Sequence, residues 1–125
     1  MKRHIGYFLA ISALLVSCFA FAEEESVSSE VMAKCKMPPN PTVPNGRTAN
    51  KDEMLSAQTA MKAYQAQGNE YLACLDELRA GWGENITDEQ KAVVVIFYNR
   101  VVDQMHTVGD LYNQAVRAYK GREGQ

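Results

Sequence analysis

The chain has 125 residues, 46% of them apolar, with 13 Lys and Arg against 15 Asp and Glu. That length supports one small domain, which excludes a multidomain enzyme, a polytopic membrane protein and a nucleotide-binding fold with a separate substrate domain. The balance is slightly acidic, and it becomes 11 basic against 15 acidic residues if Lys2 and Arg3 leave with a leader, so the basic footprint of a nucleic-acid binder is not expected.

Met1-Lys2-Arg3-His4 is a short basic start, and Ile5 to Phe21 is apolar apart from a few small residues. Ala20-Phe21-Ala22 offers small residues at both positions a signal peptidase reads, and three glutamates follow. Residues 1–22 therefore read as a signal peptide, and the mature chain as periplasmic or secreted. The alternative is a lipobox at Leu15-Val16-Ser17-Cys18, which would acylate Cys18 and tether the protein to a membrane. No later segment is long and apolar enough to span a bilayer. With Cys18 in the leader, Cys35 and Cys74 remain, and an even pair in an exported chain predicts a disulfide.

Residues 23–34 are acidic and serine-rich and read as a flexible start. Residues 35–49 hold all four prolines and read as an extended arm, with Asn45-Gly46 as a turn. Residues 50–121 read as an antiparallel two-helix hairpin, so the fold class is all-α. Helix 1 is predicted at about 50–80, opened by an Asn50–Glu53 capping box and ended by a left-handed Gly81. Its apolar seam is Met54, Ala57, Met61, Tyr64, Gly68, Tyr71, Leu75, Leu78 and Trp82, with gaps alternating three and four as in a coiled coil.

Helix 2 is predicted at about 87–120, opened by a Thr87–Gln90 capping box. Its seam is Val94, Tyr98, Val101, Met105, Val108, Tyr112, Ala115 and Tyr119. The run Val93 to Tyr98 has strand propensity, but it has no partner strand and the helical period continues through it. The expected register sets Tyr71 opposite Tyr98, Tyr64 opposite Met105, Gly68 opposite Val101 and Ala57 opposite Tyr112. The apolar arc of helix 2 is wider than one partner needs, with Val93, Phe97 and Leu111 on one flank and Val95, Val102 and Val116 on the other. The arm is expected to run back along helix 1, in a shallow groove of Ser56, Ala60, Ala63 and Gln67, and to be locked by Cys35–Cys74.

The succession of Cys35-Lys36-Met37-Pro38, the proline arm, Asn45-Gly46, Met54, Tyr64, Tyr71-Leu72-Ala73-Cys74-Leu75 and the later Tyr-Asn pairs resembles a group of small exported proteobacterial helical-hairpin proteins. The similarity covers most of Cys35 to Arg122. It implies the hairpin and carries no activity with it.

Chemistry-bearing residues are few. Asp103, His106 and Asp110 share one helix face and are the candidate metal ligands, but such a set is also what the solvated side of an amphipathic helix carries. The tyrosines form a candidate ligand cleft or, more simply, core packing with hydroxyl tips at the rim. No catalytic set is evident: Ser56 and His106 are the nearest approach to one, and Cys74 is committed to the disulfide. The expectation is a non-enzymatic cell-envelope protein without a cofactor, acting through its helical surfaces by self-association or by binding an envelope protein. The alternative is a small-ligand or metal-binding module.

Overall fold

Two capping boxes set where the long helices begin. Asn50 accepts a hydrogen bond from the Glu53 backbone N–H at 2.9 Å, and the Glu53 carboxylate accepts one from Asn50 N–H at 2.7 Å. Thr87 and Gln90 make the same reciprocal pair at 3.1 and 2.9 Å. Each box satisfies amides that have no partner inside the helix. In the computed structural model, which describes residues 26–124, these boxes open α2 (Lys51–Gly81) and α3 (Asp88–Glu123). The described residues contain no strand, and Val93 to Tyr98 lie within α3. The signal peptide and the Cys18 alternative fall outside the described residues.

Over the described residues 26–34, a third helix corrects the flexible start expected at 23–34. Val27–Lys34 is α1, capped by Ser26, whose side chain accepts from the Ser29 amide. Eight residues do not hold a helix in water by themselves. This one is held by burial. Val31 is fully buried, and Cys35 is joined to Cys74 of α2 across 39 residues of chain.

Three apolar clusters fill the interior. In the first, Val31 and Cys35 pack with Tyr71, Leu75 and Leu78 of α2 and with Val94, Phe97 and Val101 of α3. The second joins Met61 and Tyr64 to Val108. The third joins Ala49 and Met54 to Ala115. The last turns of α2 thus pack on the first turns of α3, and the first turns of α2 on the last turns of α3.

Two expected positions are displaced. A Cβ on Gly68 would lie 2.4 Å from Met105 Sδ, so Met105 occupies the place expected of Val101, one helical turn away. Tyr98 is 40% exposed, and Phe97 takes the core position at 7%. The end of α2 also differs: Gly81 stays inside the helix, and the left-handed residue is Gly83, at φ 72°.

The arm, residues 36–45, has neither helix nor strand, and it borders both long helices, with Pro38 and Pro41 beside Gln67, Ser56 and Ala60 of α2 and Asn40 beside Ile96 and Gln104 of α3. Tyr64 Oη donates to Asn40 Oδ1 at 3.1 Å, and Val43 packs against both the second and the third cluster. The Asn45 carbonyl accepts from Thr48 and Ala49, turning the chain toward α2. Arg122, near the end of α3, donates to the carbonyls of Arg47 (2.8 Å) and Ala49. Of the groove expected on α2 alone, Ser56, Ala63 and Gln67 remain exposed and only Ala60 is half-buried. Two bordering helices offer apolar contact on two sides, whereas a stripe of small residues offers it on one.

Gly46 marks the closest approach of the arm. A Cβ there would sit 1.9 Å from the Ala115 carbonyl oxygen, which belongs to the α3 backbone and cannot swing aside. Gly46→Ala should therefore lift the turn from α3 and lower stability by about 1–3 kcal/mol. Arg122 should lose its two carbonyl partners with it. Denaturant unfolding of the pair Gly46→Ala and Gly81→Ala checks this, since a Cβ at Gly81 meets nothing.

Candidate functional site

Asp103, His106 and Asp110 project from the exposed side of α3. Among the described residues no three His, Cys, Asp or Glu side chains are grouped so as to hold a metal ion. Spacing along one helix brings side chains to one face, but closing a coordination sphere needs donors from a second element, and no such donors gather here.

The tyrosines separate into two kinds. Tyr64 and Tyr71 are buried at 2% and 3%, and burial pushes both phenols above their ordinary pKa, with Arg100 partly offsetting this at Tyr71. Tyr112 and Tyr119 are half-buried beside the clusters, and the Arg122 guanidinium lies 5.1 Å from the centre of the Tyr119 ring. Tyr98 faces out. The five do not enclose a common cleft.

The surface depressions are open and shallow. One, of about 550 Å³, lies between Asn40 of the arm and α3, bordered by Ile96, Arg100, Asp103 and Gln104. His106 and Asp110 do not border it. Gln104 Oε1 is buried there without a hydrogen-bond partner.

α1 is anchored by a polar cluster that the sequence reading missed. Lys34 Nζ donates to Glu30 Oε1 at 2.9 Å, and Trp82 Nε1 donates to the same oxygen at 3.4 Å. The signal available was the i,i+4 spacing of Glu30 and Lys34, but nothing local ties them to Trp82, 52 residues on. The Lys34 hydrogen bond, helped by that of Trp82, holds the Glu30 carboxyl below its ordinary value of 4.5. A depressed folded-state value adds stability that is complete above the unfolded value and disappears as pH falls through the folded one. Trp82, the single tryptophan, should report this: its emission should change as pH is lowered below about 4.5 and α1 loosens, and Glu30→Gln should abolish that change.

Several large apolar side chains are exposed. On α3, Val95 and Tyr98 lie on one flank and Ile96 and Leu111 on the other, all 40–55% exposed, with Leu55 at 50% and Met32 at 57% elsewhere. No helix among the described residues is long and apolar enough to cross a membrane. Comparison with protein-family models, with curated proteins and with solved structures finds no match to this chain.

Proposed function

We propose that this protein is a non-enzymatic interaction module of the cell envelope, acting through its helical surfaces, with the Val95–Tyr98 flank of α3 as the contact face. In this reading α2 and α3 are the arms of an antiparallel hairpin, and the proline arm is a strap that the disulfide locks across it. The observation that carries the reading is the exposure of Val95 and Tyr98, large apolar side chains at i, i+3 spacing on one flank of the long helix α3. Exposed large apolar side chains that share a surface mark places where another molecule docks. The signal-peptide reading of residues 1–22 and the disulfide, which persists in oxidising compartments, favour a periplasmic or secreted location. The resemblance to small exported proteobacterial helical-hairpin proteins points the same way and supplies no activity.

A photo-reactive amino acid at Tyr98, activated in the native cell, tests this. The expected result is a discrete crosslinked species, identified by mass spectrometry and absent when the probe stands at Glu77, an exposed position on α2. Recovery of only uncrosslinked chain from both positions would remove the reading. The metal or small-ligand alternative has weaker support, because Asp103, His106 and Asp110 are exposed without converging donors and the tyrosines share no cleft.

A further inference from the structure

The two sulfurs of the disulfide differ in their access to solvent. Cys35 is 2% exposed and belongs to the first cluster, with Val31, Tyr71 and Leu75. Cys74 is only partly buried. Two open depressions, of about 420 and 340 Å³, share Lys34 and Cys74 as a border, and Cys35 borders neither. A thiolate exchanges with the disulfide sulfur it can touch, so access selects Cys74. Lys34 and Lys36 border the larger depression, with Glu70 as the one acid there. Ammonium groups beside a sulfur favour the thiolate, the form that attacks.

α1 covers apolar surface, and the bond is what keeps it in place. Val31, its fully buried side chain, belongs to one cluster with Tyr71 and Leu75 of α2 and Phe97 and Val101 of α3. Its polar anchor is the 3.4 Å hydrogen bond from Trp82 Nε1 to Glu30. Eight residues do not hold a helix in water alone. Cys35 is the C-cap of α1, so the tie to Cys74 acts at the end of the helix itself.

We infer that Cys74 is a site of thiol–disulfide exchange, and that exchange with a dithiol reductant releases α1 from the apolar surface it covers. This goes beyond the Val95–Tyr98 contact face and does not depend on it. In the first step one thiolate of the dithiol bonds to Cys74 Sγ and displaces Cys35 as a thiolate, which takes a proton from water. In the second, the other thiolate of the dithiol bonds to its own partner sulfur and displaces Cys74, which is protonated in turn. The dithiol is oxidised by two electrons to its disulfide, and the Cys35–Cys74 bond is reduced to two thiols. A thiolate is strongly disfavoured among apolar side chains, so Cys35 reaches water as α1 lifts away. The surface left open is the groove between the last turns of α2 and the first turns of α3, with Tyr71, Leu75, Phe97 and Val101 in it.

Brief treatment of the oxidised, folded chain with reduced glutathione, quenched by N-ethylmaleimide, tests which sulfur is attacked. Mass spectrometry should find glutathione on Cys74 and maleimide on Cys35, exceeding the reverse arrangement at least about tenfold. In concentrated urea, where access is equal, that preference should shrink to about threefold or less. Glutathione on both cysteines alike in the folded chain, or mainly on Cys35, overturns the assignment of Cys74.

Reduction with excess dithiothreitol tests the release. Hydrogen exchange at the amides of Glu30 to Cys35 should accelerate at least about tenfold, while the middle of α2 and α3 stays protected. Fluorescence of anilinonaphthalene sulfonate, which binds exposed apolar surface, should rise severalfold, and reoxidation should reverse both changes. The double variant Cys35→Ala, Cys74→Ala should show the same exchange and dye binding without reductant and should not respond to it. A bond that dithiothreitol cuts only when α2 and α3 unfold overturns the inference. So does a reduced chain, or a double variant, whose α1 amides stay protected and whose dye binding equals that of the oxidised chain.

Discussion

Replacing Cys35 and Cys74 together by alanine should lower stability by about 4 kcal/mol, the chain-entropy value for a loop of 39 residues. Apart from the backbone itself, the disulfide is the covalent tie between α1 with the arm and the long helices. Without that tie, α1 and the arm rest on Val31, Pro38, Val43, the Glu30 cluster and the Arg122 contacts. The loss should be unequal along the chain. Amides of α1 should lose hydrogen-exchange protection first, because an eight-residue helix depends on its docking. The middle of α2 and α3 should stay protected, because their apolar seams and capping boxes do not involve the bond. Far-ultraviolet circular dichroism should fall only by the share that α1 contributes. A uniform loss of protection across all three helices would show that the strap is integral to the α2–α3 packing.

Phe97→Ala should cost about 3–5 kcal/mol, the range for removing a large aromatic side chain from a core. Tyr98→Ala should cost under about 1 kcal/mol, since Tyr98 is 40% exposed where Phe97 is 7% exposed. The two positions are neighbours in sequence and carry nearly the same ring, so the contrast isolates the face each one presents. Phe97 touches the cluster of Val31, Cys35, Leu75 and Val101, and its removal opens a cavity where α1, α2 and α3 meet. Arg100, whose guanidinium lies 5.4 Å from the Phe97 ring centre, loses its aromatic neighbour as well. Thermal melts at pH 7 that ranked Tyr98→Ala as the more damaging would reverse this assignment of the core face.

The same pair of residues shows where sequence reasoning stops. From Val94 to Val101 a heptad seam can pass through position 97 or position 98, and both are aromatic. With residues 23–34 read as flexible, the Phe97 flank had no partner, so Tyr98 was the natural choice. The finding that Val27–Lys34 is a helix docked on that flank changes the answer. The α1 error has its own cause: Val27, Val31 and Met32 are too few to mark a helix among serines and glutamates, and the contact that stabilises it lies some forty residues away. At the candidate sites, the spacing of Asp103, His106 and Asp110 was legible, but whether donors from a second element would meet them was not. Glu30 and Arg122 act on partners 52 and 73 residues distant, and no local pattern announces such pairs.

The amino-acid sequence by itself determined what hydrogen bonds and periodicity decide over a few residues. Asn50–Glu53 and Thr87–Gln90 set the starts of α2 and α3, the prolines kept residues 36–45 out of a helix, and two cysteines in the described chain had one another as partner. Each of these depends on groups within one or two turns of one another, or on a choice with one outcome. The tertiary structure alone decided that α1 forms, that Phe97 rather than Tyr98 is buried, that Met105 rather than Val101 fills the space over Gly68, and that the arm borders α3 as well as α2. Those outcomes depend on burial shared among residues far apart in sequence. Apolar burial is non-directional, so a periodic pattern names the residues that seek cover but leaves open which neighbour provides it.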